Sequence, residues 1–157
     1  MNRRTIQKLT LAGSLLWLAA PILAKPDYTG VWKLDRSRSD MGPLSNVSVL
    51  VRTITHDDPR LVIEIVVERG AGKEGGELRF LTNGEETTNR VADVETTGQV
   101  MWLGNHLLMR TTRDVNGLRT RIDELWTLSA DGKTLQIDAV VTTQMGREDI
   151  IAVFAKE

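Results

Sequence analysis

Residues 61–68 read LVIEIVVE, and every second residue of this segment, beginning with the first, is apolar. Glu64 and Glu68 fall on the alternate positions. Because successive side chains of a β-strand point to opposite faces of the sheet, this pattern is typical of a strand with one buried face and one exposed face. Residues 135–139, LQIDA, divide between two faces in the same way.

The chain on either side of this segment consists of similar short runs, in which Thr, Val, Ile and Arg are frequent. We predict ten strands, at residues 28–35, 46–56, 60–69, 77–82, 86–91, 99–103, 106–113, 118–128, 134–143 and 147–155. No segment after Lys25 has the 3.6-residue period of an amphipathic helix. The nearest candidate, residues 36–45, is interrupted by Gly42 and Pro43, so we expect a loop with one helical turn that crosses one end of the sheet.

The connections between the predicted strands are short. Gly104-Asn105, residues 114–117 and residues 130–133 have the composition of tight turns, whereas residues 56–59 and 71–76 are typical of looser loops. Short connections place successive strands side by side and antiparallel, and closing such a sheet removes its exposed edges. We therefore predict an all-β fold, an antiparallel up-and-down β-barrel of about eight to ten strands. A β-sandwich is the alternative.

Residues 1–24 have the three-part layout of a secretory signal peptide: a basic start, an apolar stretch at residues 9–20 and a short segment that ends at Ala24. We expect cleavage after Ala24, which divides the chain into a signal peptide, 1–24, and a barrel domain, 25–157. The apolar stretch is shorter than the roughly 20 residues of a membrane-spanning helix, so no stable membrane span is expected after cleavage. An uncleaved anchor is the alternative.

The paired Arg3 and Arg4 resemble the twin-arginine export motif, although Asn2 and Gln7 depart from its usual residues. Paired arginines are also common in basic signal-peptide starts, so we favour the general secretion route. By either route the protein is expected to be periplasmic or secreted.

Charge and cysteine content exclude several classes of function. The 20 lysines and arginines of the chain, less Arg3, Arg4 and Lys8, stand against 21 acidic residues, which leaves a net charge of −4 after cleavage. A mildly acidic domain without a basic stripe argues against nucleic acid, whose phosphates must be neutralised, and against an anionic membrane surface. The chain has no cysteine, which excludes disulfides, iron–sulfur ligation and thiol catalysis.

The first predicted strand contains the sequence TGVWKL at residues 29–34, with Gly30 and Trp32 in a Gly-x-Trp motif. Residues 128–135 read LSADGKTL ahead of a late strand. These features resemble the calycin barrels, namely lipocalins and fatty-acid-binding proteins, and in particular the small secreted lipocalin-like domains of bacteria. The resemblance covers most of residues 28–156. It implies that Trp32 points inward and plugs one end of the barrel, and that Gly30 lets the chain turn onto it.

The sequence also departs from these families. It lacks the lipocalin Thr-Asp-Tyr loop motif, the helix pair that covers fatty-acid-binding proteins after their first strand, and the late Arg-x-Tyr with which those proteins hold a carboxylate. The identity of a ligand therefore does not follow from the resemblance.

Catalytic and metal-binding patterns are weak. His56 and His106 are the only histidines, fewer than a zinc site usually needs without cysteines, and we predict no metal and no cofactor. No Gly-x-Ser-x-Gly motif is present, and the adjacent acids Asp123 and Glu124 would point to opposite faces of a strand. We predict that the protein is not an enzyme.

A barrel of this size can enclose a small molecule. The inward face of residues 118–128 is expected to carry Glu124, the best polar candidate for a ligand contact, with a purely structural role as its alternative. The other candidate ligand-binding residues are Trp102, Trp126, Met109 and Phe80, which would equally serve as core. The sequence therefore predicts an exported carrier of a small apolar or amphipathic molecule. The alternatives are a structural or interaction barrel of the cell envelope with a filled interior, and an enzyme of unrecognised chemistry.

Overall fold

The computed structural model describes residues 24–157. The predicted signal peptide therefore lies outside the described residues, apart from its last residue, Ala24, which is exposed. Among residues 24–157 no helix has the length and apolar character needed to span a membrane.

The described chain folds into ten antiparallel strands, which confirms the all-β prediction. The strands are β1 (Gly30–Leu34), β2 (Val49–Asp57), β3 (Arg60–Arg69), β4 (Gly72–Leu81), β5 (Thr87–Val91), β6 (Val94–Leu103), β7 (His106–Val115), β8 (Leu118–Leu128), β9 (Thr134–Thr143) and β10 (Gly146–Lys156). Their order in the sheet is β4-β3-β2-β1-β10-β9-β8-β7-β6-β5, so each strand except β4 pairs with the next one in sequence, and β1 also pairs with β10. The result is an up-and-down barrel, and the sandwich alternative is wrong.

The barrel closes almost completely at its two edge strands, β4 and β5. The side-chain oxygen of Asn89 on β5 accepts a hydrogen bond from the backbone N–H of Arg79 on β4 at 2.7 Å. The amide nitrogen of Asn89 donates to the carbonyl oxygen of Arg79 at 3.0 Å. One side-chain amide thus makes the two hydrogen bonds that a paired backbone residue would otherwise make across this gap.

Two strands begin earlier than the sequence predicted. Residues 72–76 were expected in a loop but belong to β4, where glycine is needed for close packing rather than for a turn. A Cβ on Gly75 would lie 2.7 Å from the Ile65 carbonyl oxygen, and a Cβ on Gly76 would lie 2.1 Å from Val91 Cγ1. β6 begins at Val94 because Ala92 and Asp93 form a two-residue hairpin turn with φ values of 47° and 64°.

The connection between β1 and β2 contains two short 3₁₀ turns, Arg36–Arg38 and Gly42–Leu44, where one helical turn was expected. The side chain of Asp35 caps the first turn by accepting a hydrogen bond from the Ser37 N–H. Backbone hydrogen bonds between Asp40 and Ile151 then fasten the connection to β10. This connection brings Met41 and Leu44 over one end of the barrel, where both line the cavity described below.

The other end of the barrel, called the closed end here, is filled by aromatic side chains. Trp32, Trp126, Tyr28 and Phe154 are fully buried. The indole N–H of Trp32 donates to the Tyr28 carbonyl oxygen at 2.8 Å, and the Tyr28 hydroxyl donates to the Trp126 carbonyl oxygen at 3.1 Å. Gly30 has a φ of 149°, and a Cβ there would lie 2.5 Å from Cε of Lys156, so this position favours glycine.

Candidate functional site

The half of the barrel opposite the closed end encloses a cavity of about 770 Å³. It is bounded by the ends of the strands near the β3–β4, β5–β6 and β7–β8 turns and by the second 3₁₀ turn, Gly42–Leu44. Its wall is mostly aliphatic and includes Leu50, Ile63, Ile65, Val67, Leu78, Val91, Val94, Met109, Ile122, Ile137, Ala139, Val141, Ile150 and Ala152. The volume lies within the range of about 300–1,000 Å³ that is usual for ligand-binding cavities.

The floor of the cavity carries an ion pair between Arg52 on β2 and Glu124 on β8. Nη2 of Arg52 donates to Oε1 of Glu124 at 3.0 Å, and Nη1 donates to Oε2 at 3.2 Å. The side chains of Arg52 and Glu124 are each 12% exposed. The indole N–H of Trp126 donates to Oε2 of Glu124 at 2.7 Å, so the pair joins the cavity to the aromatic core of the closed end.

Strand alternation explains why these two charges face inward. Arg52 follows Leu50 by two residues and precedes the buried Ile54 by two, so it shares their face of β2. Glu124 stands in the same relation to Ile122 and the buried Trp126 on β8. Each charge therefore interrupts an apolar row, and the two rows meet across the barrel.

The electrostatics of the floor favour a charged, internally neutralised pair. Burial alone raises the pKa of Glu124, but the charge of Arg52 and the hydrogen bonds from Arg52 and Trp126 outweigh burial, so the pKa lies below its usual value. The guanidinium of Arg52 also lies 5.3 Å from the ring centroid of Trp126 and 5.5 Å from that of Phe154. Among residues 24–157, no hydrogen-bond partner is placed for Nε of Arg52, which is buried.

The mouth of the cavity is charged and exposed. Arg69, Lys73, Glu74 and Arg113 lie there. Nη1 of Arg69 lies 3.3 Å from Oε2 of Glu74, whose side chain is 75% exposed. The charged groups of the cavity are thus concentrated at its two ends, with a mostly aliphatic wall between them that also includes Thr96 and Thr111.

The structure brings some of the predicted ligand-binding residues to this cavity and places others elsewhere. Glu124 and Met109 line it, and Trp126 lies directly beneath Glu124. Phe80 is buried and packs toward Gly98, outside the cavity lining. Trp102 is at the closed end, with its ring centroid 6.2 Å from that of Tyr28. Residue type alone does not reveal which end of the barrel a strand position occupies.

Arg52 is the residue that sequence reasoning missed. The signal was present, because Arg52 lies between two apolar residues of the same parity in the predicted strand 46–56. Four other arginines of the strands, by contrast, are all exposed: Arg79, Arg110, Arg119 and Arg121. An arginine on the apolar face of a strand, opposite a glutamate on the apolar face of another, is the pattern that points to a buried pair.

A second polar cluster lies at the closed end around Asp58. Oδ1 of Asp58 accepts hydrogen bonds from the Thr82 hydroxyl and, at 2.8 Å, from the indole N–H of Trp102. Nζ of Lys25 lies 3.2 Å from Oδ2 of Asp58, and Nε2 of His56 lies 3.7 Å from Oδ1. Within residues 24–157 no group of three or more His, Cys, Asp or Glu side chains is placed to hold a metal ion.

Comparison with known proteins shows the fold. No protein-family model matches the chain, and no curated protein is similar to it in sequence. Among solved structures, a secretory abundant heat soluble protein from Ramazzottius varieornatus has a TM-score of 0.60 at 14% identity, covering 85% of this chain and 98% of that one. A REP1-NXSQ fatty acid transporter has a TM-score of 0.57 at 12% identity, covering 82% and 95%.

The zebrafish ileal bile-acid-binding protein, in a structure with cholic acid, has a TM-score of 0.57 at 13% identity, covering 83% of this chain and 98% of that one. At these identities the likenesses concern the arrangement of strands and not the residues of the site. The chain therefore has the antiparallel barrel fold that these proteins share, which is the fold implied by the resemblance to calycin barrels.

Proposed function

We propose that this protein is an exported, non-enzymatic carrier that binds a small apolar or amphipathic molecule inside its barrel. The observation that carries the proposal is the cavity of about 770 Å³, with an aliphatic wall and a single ion pair at its floor. An apolar cavity with few, fixed polar groups is the usual form of a site for such ligands. The fatty acid transporter and the bile-acid-binding protein, which share the fold, add support.

The two alternatives fit the described residues less well. A structural barrel would have side chains filling its interior throughout, whereas Trp32, Trp126 and Phe154 fill the closed end and the other half holds a cavity of about 770 Å³. Catalysis would need titratable groups that converge on a reacting atom. The acidic and basic groups at the cavity floor, Glu124 and Arg52, instead neutralise each other.

The test uses Nile red, an uncharged dye that fluoresces in apolar surroundings, and a variant that fills the cavity. Ala139 lines the cavity and is buried, so Ala139→Phe should place a ring in it. Ala155→Phe adds the same ring at an exposed position of β10. We expect saturable dye binding by the native protein and by Ala155→Phe, and at least about tenfold weaker binding by folded Ala139→Phe.

Binding that Ala139→Phe leaves unchanged would contradict a carrier function for this cavity. Native mass spectrometry of protein purified from its own cells gives an independent readout. The proposal predicts a retained lipid-sized mass, and the absence of both a retained mass and dye binding would favour the structural barrel.

The exported location has its own test. If the signal peptide is cleaved after Ala24, the N-terminal sequence of the protein from its own cells begins at Lys25. A protein that retains residues 1–24 would contradict cleavage. Replacement of Arg3 and Arg4 by lysine separates the routes, because it should block twin-arginine export and leave general secretion intact.

A further inference from the structure

We infer that the cavity selects ligands with an uncharged head group that accepts hydrogen bonds, such as a long-chain alcohol, over the matching carboxylate. This inference rests on the proposed function, because it names the ligand class of the same cavity. Its basis is the pairing of Arg52 with Glu124, which leaves the cavity floor with hydrogen-bond donors and no net charge.

The cavity floor has one positive charge, that of Arg52, and one negative charge, that of Glu124. Arg52 could hold a ligand carboxylate, as arginine commonly does through two parallel hydrogen bonds. In this protein Glu124 already accepts one hydrogen bond from each terminal nitrogen of Arg52, at 3.0 and 3.2 Å, and neutralises its charge. A second carboxylate would bring two negative charges to one guanidinium at a mostly buried position, where like charges repel more strongly than in water. An uncharged head group avoids this repulsion.

Arg52 also has hydrogen-bond donors that Glu124 does not use. A guanidinium has five N–H groups, and those of Arg52 make two hydrogen bonds among the described residues. Its Nε is buried and has no partner within the described part of the chain, a condition that native proteins seldom tolerate. The carboxylate of Glu124 already accepts from Arg52 and Trp126. The floor therefore has more unused donors than unused acceptors, which suits a hydroxyl or carbonyl oxygen.

The wall of the cavity determines the rest of the ligand. Between the floor and the charged mouth, most side chains are aliphatic, as at Ile65, Ile122 and Val141. A ligand with one polar head and an unbranched hydrocarbon chain places the head at Arg52 and the chain along this wall. Burial of each CH₂ group then adds to the affinity.

The experiment compares 1-dodecanol with dodecanoate, two ligands with the same chain length and different head groups, by calorimetric titration at pH 7.5. We expect the native protein to bind 1-dodecanol at least about tenfold more tightly than dodecanoate. Glu124→Gln removes the competing charge and keeps the size of the side chain, so dodecanoate should bind this variant at least about tenfold more tightly than it binds the native protein.

Glu77→Gln is the matched control, because it makes the same chemical change at an ion-paired glutamate that is exposed and lies outside the cavity lining. It should leave the preference for the alcohol in place. Equal or tighter binding of dodecanoate by the native protein would overturn the inference and leave the carrier function standing. Failure of both ligands to bind would overturn the carrier function as well. The comparison on native protein decides the question even if Glu124→Gln does not fold.

Discussion

At the scale of single residues, Arg52 and Glu124 each depend on the other. Either charge alone would be left in a site where the side chains are only 12% exposed. Removing one member of a buried pair leaves an uncompensated charge, whereas removing both removes the cost of burying them. The pair is therefore weak evidence for stability and stronger evidence for a function of the cavity floor.

A double-mutant cycle on Arg52 and Glu124 should show this mutual dependence. Arg52→Met should lower the free energy of unfolding by about 3–5 kcal/mol, whereas the double variant Arg52→Met/Glu124→Met should be close to neutral. Urea denaturation measures both. Arg110→Met, which breaks an exposed pair with Asp123, is the control and should cost about 0–1 kcal/mol. If the single and double variants lost the same free energy of unfolding, burying Glu124 without Arg52 would carry no cost, which would contradict this account of the pair.

Acid sensitivity is expected from His56 at the closed end. Burial lowers the pKa of His56 from 6.5, against the opposing charges of Asp58 and Asp27, while Lys25 lowers it further. A hydrogen bond from Thr82, with others from Trp102 and Lys25, lowers the pKa of Asp58 to about 2, so this carboxylate stays charged over the same range. The unfolded chain therefore binds a proton at His56 more readily than the folded protein does.

Stability should consequently be constant above about pH 6.5 and fall as the pH drops below that value. The fall should be smaller in His56→Phe, whose ring fits among Tyr28 and Trp102. His106→Phe tests whether the effect belongs to the other histidine. Thermal denaturation at a series of pH values measures it, and an unchanged slope in His56→Phe would contradict this account.

At the scale of the strands, the side chain of Asn89 determines how firmly the barrel closes. Its two hydrogen bonds to the backbone of Arg79 span the gap between β4 and β5. Asn89→Ala should cost about 1–2 kcal/mol and speed hydrogen exchange at the Arg79 amide. Thr88→Ala, at the exposed neighbouring position, is the control. Equal exchange rates at Arg79 in the native protein and Asn89→Ala would show that the gap closes without this contact.

The β5–β6 turn offers a stabilising substitution. Ala92 has a φ of 47°, a region that alanine adopts at a cost and asparagine tolerates better. Ala92→Asn should raise the free energy of unfolding by about 0.5–1 kcal/mol. The control is Ala130→Asn, at an exposed alanine of the β8–β9 connection whose φ is negative. Denaturant titration would contradict this interpretation if both variants gained equally.

At the scale of the whole molecule, the sequence predicted the fold well because period-2 alternation and turn residues are local signals. It predicted the turn at Gly104-Asn105 but missed the one at Ala92-Asp93, since alanine is not a turn-forming residue. The strand start at Gly72 was hidden for the opposite reason. Glycine usually breaks strands, but Gly75 and Gly76 are required where β4 approaches β3 and β5.

The candidate site was predicted only in part. Alternation placed Glu124 on the apolar face of its strand, but its partner comes from a strand 72 residues away in sequence. Such a contact depends on strand register around the closed barrel, which no local pattern specifies. The same limit applies to the cavity, because the apolar residues that fill the closed end and those that line the open half have the same alternation.

The central claim, that an amphipathic molecule occupies the open half of the barrel, is tested most directly through the methionine methyl groups. Met41 and Met109 line the cavity, whereas Met101 and Met145 are on the outside, 39% and 84% exposed. With ¹³C-labelled methionine methyls, titration with 1-dodecanol should shift the NMR signals of Met41 and Met109 saturably and leave those of Met101 and Met145 in place. Shifts confined to Met101 and Met145, or no shift at any methionine, would contradict the account.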